Sequence, residues 1–289
     1  MTKWGRRAGL LAGVGWLGLA ALPWAVRAQP GADVRPLQLG LLPITSTRML
    51  LRNYQPVQAY LERELRQPVE LVTASDFRTF HDNTLQGQYD LVVTASHLGR
   101  LAQLDAGWLP LARYAAMHRT LLVMARARPV RQVEALRGRS LAGPDSLTLA
   151  STEAQEWLQA RGLRAGRDYT FLETPTPTSA AHALINGQSL LAVSSPQGLK
   201  NTPENLRAQL AVYATLPELP SLLWLAHPRL AKQLPQLQAV LLGLTDASAE
   251  GRAFFEATGY QGLQELQPAD LRATEGYMPG LRESLKAGR

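Results

Sequence analysis

The sequence predicts an α/β fold in two lobes, with parallel strands covered by helices on both faces. Three observations predict it. From Leu37 onward, short apolar runs alternate with segments of helical periodicity. Arg128-Pro129 punctuates the alternation, which then restarts, giving two blocks joined near residues 118–128 and 215–227. The chain has 289 residues, 46% hydrophobic and 18% charged, enough for one large domain or for two lobes of roughly 100–150 residues.

In the first block, Leu37–Leu42 reads as a buried strand stopped by Pro43. Tyr54, Val57, Tyr60, Leu61 and Leu65 follow at helical spacing. Pro68 opens a second strand at Val69–Val72, and a helix covers Asp76–Leu85 until Gly87 ends it. Asp90–Thr94 is a third strand, His97–Ala106 a short helix closed by Gly107, and Leu111–Tyr114 and Thr120–Met124 are further strands. In the second block, Val133–Arg137 is a helical turn stopped by Gly138, Ser140–Ala142 a strand and Thr148–Arg161 a helix closed by Gly162. A helix at Ser179–Ile185 separates strands at Tyr169–Leu172 and Leu190–Val193. Gln209–Tyr213 and Leu222–Leu225 complete the strands, and from Pro228 the reading is mostly helical, returning the chain to the first lobe.

The N-terminus carries a separate signal. Lys3, Arg6 and Arg7 precede an apolar stretch, Ala8 to Val26, that ends in Ala25-Val26-Arg27-Ala28. A basic start, an apolar middle and a small-residue exit make a cleaved secretory signal over residues 1–28. The stretch is nearly long enough for a retained membrane anchor, but Pro23 and the small-residue exit favour cleavage. Arg6-Arg7 is followed by Ala8-Gly9, a poor match to a twin-arginine signal, so the general Sec route is expected. Removing four basic residues lowers the formal charge from +7 to +3, which removes most of the case for a nucleic-acid partner. The expected location is the periplasm.

The residues beyond the strands carry the functional signal, because ligands of open α/β sheets sit past the carboxyl ends of the strands. Those segments are rich in hydroxyls: Thr45-Ser46-Thr47, Thr94-Ala95-Ser96-His97, Ser146 to Thr152, Thr174 to Ser179, and Ser194-Ser195. Each precedes a helix start, where free backbone N–H groups and the positive end of the helix dipole favour anions. Any one cluster is also an ordinary N-cap. Their recurrence in both blocks points to an oxyanion or small polar ligand, held by Thr45, Ser46, Thr94, Ser96, Ser146, Thr148, Ser151 and Thr178, with Tyr54 beside the first loop. Asp145 would repel an anion if it faced inward and is expected to cap its own helix.

Other chemistries are disfavoured. The chain has no cysteine, which excludes thiol catalysis, disulfides and Cys-based metal sites. His81, His118, His182 and His227 lack metal-ligand spacing and read as surface or packing residues. Trp108, Trp157 and Trp224 read as core. No nucleophile elbow, P-loop or zincin motif is present, so neither catalysis nor a cofactor is expected.

Several segments match a known family: Gly40-x-x-Pro43, Tyr54-x-Pro56, the Tyr60-Leu61 helix, VELVTASDF, Gly87-x-Tyr89-Asp90-Leu91, LRGRSLAGPDS, and Leu216-Pro217-Glu218-Leu219-Pro220. Across roughly residues 37–270 the chain resembles the periplasmic phosphonate, phosphite and phosphate substrate-binding proteins of ABC importers. The resemblance implies a type II periplasmic-binding-protein-like fold with a hinge between lobes, lobe 1 being residues 29–119 plus 223–289 and lobe 2 residues 120–222. It also implies one small oxyanion in the cleft, a membrane permease as partner, and a monomer. His97 stands where related sequences place a cleft residue, either donating to the oxyanion or capping its helix. The family's Ser-Thr-Ser run is replaced here by Ser146-Leu147-Thr148-Leu149-Ala150-Ser151, and its small residue–Asp pair by Gln188-Ser189. A sensor reporting to a membrane histidine kinase is the alternative function, and a secreted α/β hydrolase a remote one.

Overall fold

The computed structural model describes residues 35–287, and the signal segment expected over residues 1–28 lies outside them. The first strand, β1 (Leu37–Leu41), buries Leu37, Leu39 and Leu41. Its Gly40 lies under the Tyr89 ring, where an added Cβ would stand 2.7 Å from Tyr89 Cγ, so only glycine fits. Helix α1 (Thr47–Leu65) buries Leu50, Tyr54, Val57, Tyr60 and Leu61 at three- and four-residue steps. It begins seven residues before the expected start at Tyr54, because Leu50 extends the apolar stripe by one turn. Pro56 lies inside this helix. It leaves the Arg52 carbonyl without its usual N–H partner, and burial of that five-residue stripe outweighs the loss.

Strand β2 (Val69–Thr73), helix α2 (Phe77–Leu85), strand β3 (Leu91–Ala95), helix α3 (Ser96–Ala106) and strand β4 (Leu109–Tyr114) follow. Asp76 caps α2 by accepting the Thr79 N–H, and Gly107 closes α3 with φ 69°. The chain then enters a second sheet through β5 (Met117–Ala125), β6 (Ser140–Gly143), α4 (Leu149–Gln159), β7 (Thr170–Glu173), α5 (Pro177–Ile185), β8 (Leu191–Ser194), α6 (Pro196–Asn201), α7 (Glu204–Arg207) and β9 (Leu210–Pro220). It returns through β10 (Leu222–Ala226), α8 (Leu234–Gly243), α9 (Ala249–Thr258), β11 (Leu263–Glu265), α10 (Pro268–Arg272) and α11 (Met278–Ala287).

The first sheet has the order β11-β4-β10-β3-β1-β2 and the second β7-β6-β8-β5-β9. The parallel pairing read from the sequence holds for β2-β1-β3 and β7-β6-β8. Both sheets are nonetheless mixed. β10 runs antiparallel to β3 and β4, and β5 antiparallel to β8 and β9. Those strands arrive directly from the other sheet rather than through a helical crossover, and only parallel neighbours need a crossover. The links between sheets are short, Ala115-Ala116 on the way out and Ser221 on the way back. They are held side by side by the pairs Met117↔Pro220 and Arg113↔Leu223. Strand β9 runs seven residues past the expected end at Tyr213, through Pro217 to Pro220. It is an edge strand with register shifts against β5, which is where a sheet tolerates proline.

One core surrounds the first sheet, and two smaller clusters cover the second. Trp224 and Trp108 are core residues of the first, as expected. Leu147, which follows β6 of the second sheet, packs into the first core. Beneath the first sheet, Asp90 is 2% exposed. Its carboxylate accepts from Arg35 at 2.6 and 2.7 Å, from Arg229 at 2.7 Å and from the Gln38 N–H at 2.8 Å.

Candidate functional site

The carboxyl ends of β1, β3, β6, β7 and β8 open onto one cavity of ≈ 490 Å³ between the two sheets. The second-sheet side is made of helix starts. Thr148 caps α4, its hydroxyl accepting the Ser151 N–H at 3.2 Å, and Leu149 and Ala150 follow it into the lining. Thr176 caps α5 by accepting the Ser179 N–H, with Pro177 at the first helical position. Ser195 caps α6 by accepting the Gly198 N–H, with Pro196 in the same place. Proline is suited to that position because its missing N–H would have had no partner there. The first two N–H groups of α4, on Leu149 and Ala150, have no carbonyl to meet within the helix. An oxygen that accepts a helix N–H keeps its own hydrogen, so the Thr148 hydroxyl can also donate toward the cavity.

The first-sheet side is mainly apolar. Leu42 and Ile44 follow β1, Phe77 opens α2, Ala95 ends β3, Leu222 opens β10, and Tyr260 follows α9. Ser221, on the return link, and Tyr260 are its hydroxyl residues, and His118 at the start of β5 lies at the seam.

Of the residues singled out in the sequence, Thr148 lines this cavity. Thr45 and Ser46 are exposed on the loop before α1, outside the lining, and Ser46 makes no capping bond through its side chain. Thr94, Ser96 and His97 are buried below the cavity wall. His97 is 0% exposed, its Nε2 lies 2.9 Å from the Leu147 carbonyl, and it is outside the lining. Ser151 is turned back to donate to the Pro144 carbonyl. Ser146 and Thr178 are half-buried outside the lining. Tyr54 is buried, its hydroxyl 2.9 Å from that of Tyr114. The early start of α1 places it two turns along the helix, on the core face.

Thr174, Thr176, Ser194 and Ser195 line the cavity and belong to the hydroxyl-rich segments read from the sequence, although none of them is singled out there as a ligand residue. Thr176-Pro177 and Ser195-Pro196 are hydroxyl–proline pairs, the mark of a cap followed by a first helical residue. His118 and Tyr260 have no local signal, since only the pairing of β5 and the chain's return bring them to the cavity. Asp145 does not cap α4 as expected, because Thr148 holds that position. Its Oδ1 accepts the Leu147 N–H at 2.8 Å, one turn ahead of α4, and the residue also lines the cavity. Burial raises its pKa, and the Glu173 and Asp76 carboxylates add to the rise. Burial lowers the pKa of His118, leaving a neutral imidazole at pH 7, with Nε2 3.0 Å from the Thr120 hydroxyl. Thr120 is fully buried, so this pair presents no nucleophile to the cavity. Among the described residues the lining has no Lys or Arg, and no group of three or more His, Asp or Glu could hold a metal ion. The arrangement is suited to accepting oxygens from a bound solute through amides and hydroxyls.

A family model described as the periplasmic substrate-binding protein of phosphonate ABC transporters matches residues 39–271. The chain belongs to that family. It is therefore a periplasmic substrate-binding protein of the phosphonate type, whose family implies a small-molecule ligand and a permease partner. No curated protein matches the chain. Among solved structures, XAC2383 from Xanthomonas citri, bound to chloride ion, is 17% identical with a TM-score of 0.74, covering 86% of this chain and 99% of its own. PhnD1 from Prochlorococcus marinus, in complex with methylphosphonate, is 14% identical with a TM-score of 0.69, covering 85% and 98%. A histidine kinase sensor domain is 18% identical with a TM-score of 0.53, covering 79% and 98%. These likenesses establish the fold of this binding protein, which is the type II periplasmic-binding-protein architecture.

Proposed function

We propose that this protein crosses the inner membrane by the Sec route, loses residues 1–28, and clamps a small oxyanion of the phosphate, phosphite or phosphonate class for delivery to an ABC importer. It acts as a monomer. Lobe 1 is residues 29–119 plus 223–289 and lobe 2 is residues 120–222, boundaries that fall within four residues of the paired links at Ala115-Ala116 and Ser221, which form the hinge. The observation that carries the reading is the convergence of three capped helix starts, α4, α5 and α6, on one cavity between the sheets.

The mechanism follows from that convergence. The free amides of Leu149 and Ala150 and the Thr148 hydroxyl meet the oxygens, with the α4 dipole adding to the attraction. These donors are fixed before the ligand arrives, so little ordering entropy opposes binding. The Leu147 plug and the His97 bond bring lobe 2 against lobe 1. Closure strips water from the oxygens and strengthens each bond to them.

Calorimetry of residues 29–289 against phosphate, phosphite, methylphosphonate, sulfate and arsenate tests this reading. Saturable one-to-one binding of at least one phosphorus oxyanion is expected, and heat from none of them would end the reading. Thr148→Val is expected to weaken binding by about 1–3 kcal/mol, because it removes a donor to a desolvated ligand. Ser96→Ala, at a residue outside the lining, serves as the control and leaves affinity unchanged.

A further inference from the structure

The two walls of the cavity differ in chemistry, and the difference specifies the ligand beyond its oxyanion head. Most of the hydroxyls and the starts of α4, α5 and α6 lie on the second-sheet side, whereas the facing wall is Leu42, Ile44, Phe77, Ala95, Leu222 and the Tyr260 ring, with Ser221 and the Tyr260 hydroxyl as its polar groups. Resting on the reading above, we infer that the physiological solute is an organic oxyanion whose hydrophobic substituent lies against the first-sheet wall while its oxygens meet the start of α4. Three observations carry this. First, the cavity of ≈ 490 Å³ falls in the range that holds a whole small organic molecule, far more room than a bare tetrahedral ion fills. Second, Ile44 remains 44% exposed at the cavity although it is a large apolar side chain, and a bound apolar group would cover it. Third, among the described residues the lining offers no Lys or Arg and does include the Asp145 carboxyl. A compact dianion would sit beside Asp145 with no cation in the lining to meet it, Arg78 acting on Asp145 from outside the lining. A head of low charge on an apolar body avoids that conflict and gains hydrophobic burial on the opposite wall.

The test is calorimetry at one pH and ionic strength with phenylphosphonate, methylphosphonate and inorganic phosphate, on the wild type and on Ile44→Ser. Ile44 is exposed, so the substitution leaves the core intact. Phenylphosphonate is expected to bind at least about tenfold more tightly than methylphosphonate, as burial of a ring against an apolar wall requires. Ile44→Ser is expected to weaken phenylphosphonate about fivefold and methylphosphonate less than about twofold, by the same area argument. If methylphosphonate or phosphate binds as tightly as phenylphosphonate, or Ile44→Ser weakens all three equally, the inference is overturned while the oxyanion reading stands. If none of the three binds, the inference falls, and the oxyanion reading falls with it when phosphite also gives no heat.

Discussion

Asp90→Ala is expected to lower the unfolding free energy by about 3 kcal/mol, the low end of the range for breaking a buried ion pair. The carboxylate joins three parts of the first lobe: Arg35 ahead of β1, the Gln38 amide within it, and Arg229 beyond β10. Arg229 in turn donates to the Gly87 and Tyr89 carbonyls, so the end of α2 is tied in as well. Truncation leaves the Gln38 N–H without its acceptor and loses three charge-assisted bonds. The low end applies because the Arg35 and Arg229 side chains are 66% and 36% exposed and regain water when released. Asp90→Asn keeps one acceptor and should lose less. Urea unfolding reads both, as a shift in midpoint at constant slope. A loss below about 1 kcal/mol for the alanine variant would show that solvation of the arginines replaces the network.

Glu153→Gln is expected to stabilise the protein in a pH-dependent way, by up to about 3 kcal/mol above neutrality. Glu153 lies on α4, 1% exposed, and burial raises its pKa to about 7, against which the Thr120 hydroxyl acts weakly. The folded protein therefore holds a proton on Glu153 that the unfolded chain releases near the ordinary glutamate value of 4.5. Stability falls as pH rises between those two values, at about 1.4 kcal/mol per unit, and the penalty is complete above the upper one. His97 acts in the opposite sense. Burial lowers its pKa from 6.5 to about 4, so its contribution is full above the upper value and is lost as pH falls toward the lower. The two slopes oppose each other between pH 4.5 and 6.5, and these two groups together leave the wild type nearly flat there. The difference in stability between Glu153→Gln and wild type should be near zero at about pH 4.5 and grow to a plateau by about pH 7.5. Urea midpoints at four pH values measure it. A difference that does not change with pH would mean that the carboxyl reaches water.

How much of this was legible in the sequence differs between scaffold and site. Strands with buried leucines at alternate positions, such as Leu37–Leu41, and helices with capping Asp or closing Gly, such as α2 and α3, announce themselves within ten residues. The direction of β5 and β10 does not, because antiparallel entry depends on how the chain crosses between sheets. Nor does the early start of α1, where the single buried Leu50 is all that extends the stripe before Tyr54. Within the site, Thr148 was readable because its hydroxyl, its place after a strand and its helix coincide. Ser96 and His97 carry the same local signature and yet are buried, since β10 lies directly beside β3 and covers them: the Ser96 N–H bonds the Ser221 carbonyl. The apolar wall of Ile44, Phe77 and Tyr260 comes from three separated segments, so no local pattern could assemble it.

The central claim is that the start of α4 receives the oxygens of a solute held between the two sheets. A crystal structure of residues 29–289 grown with phenylphosphonate tests it most directly. The account predicts phosphonate oxygens within hydrogen-bond reach of the Leu149 and Ala150 amides and the Thr148 hydroxyl, with the ring against Ile44 and Phe77. A phosphonate bound elsewhere on the surface, or one seated in the cavity with its oxygens turned to the first-sheet wall, would contradict it.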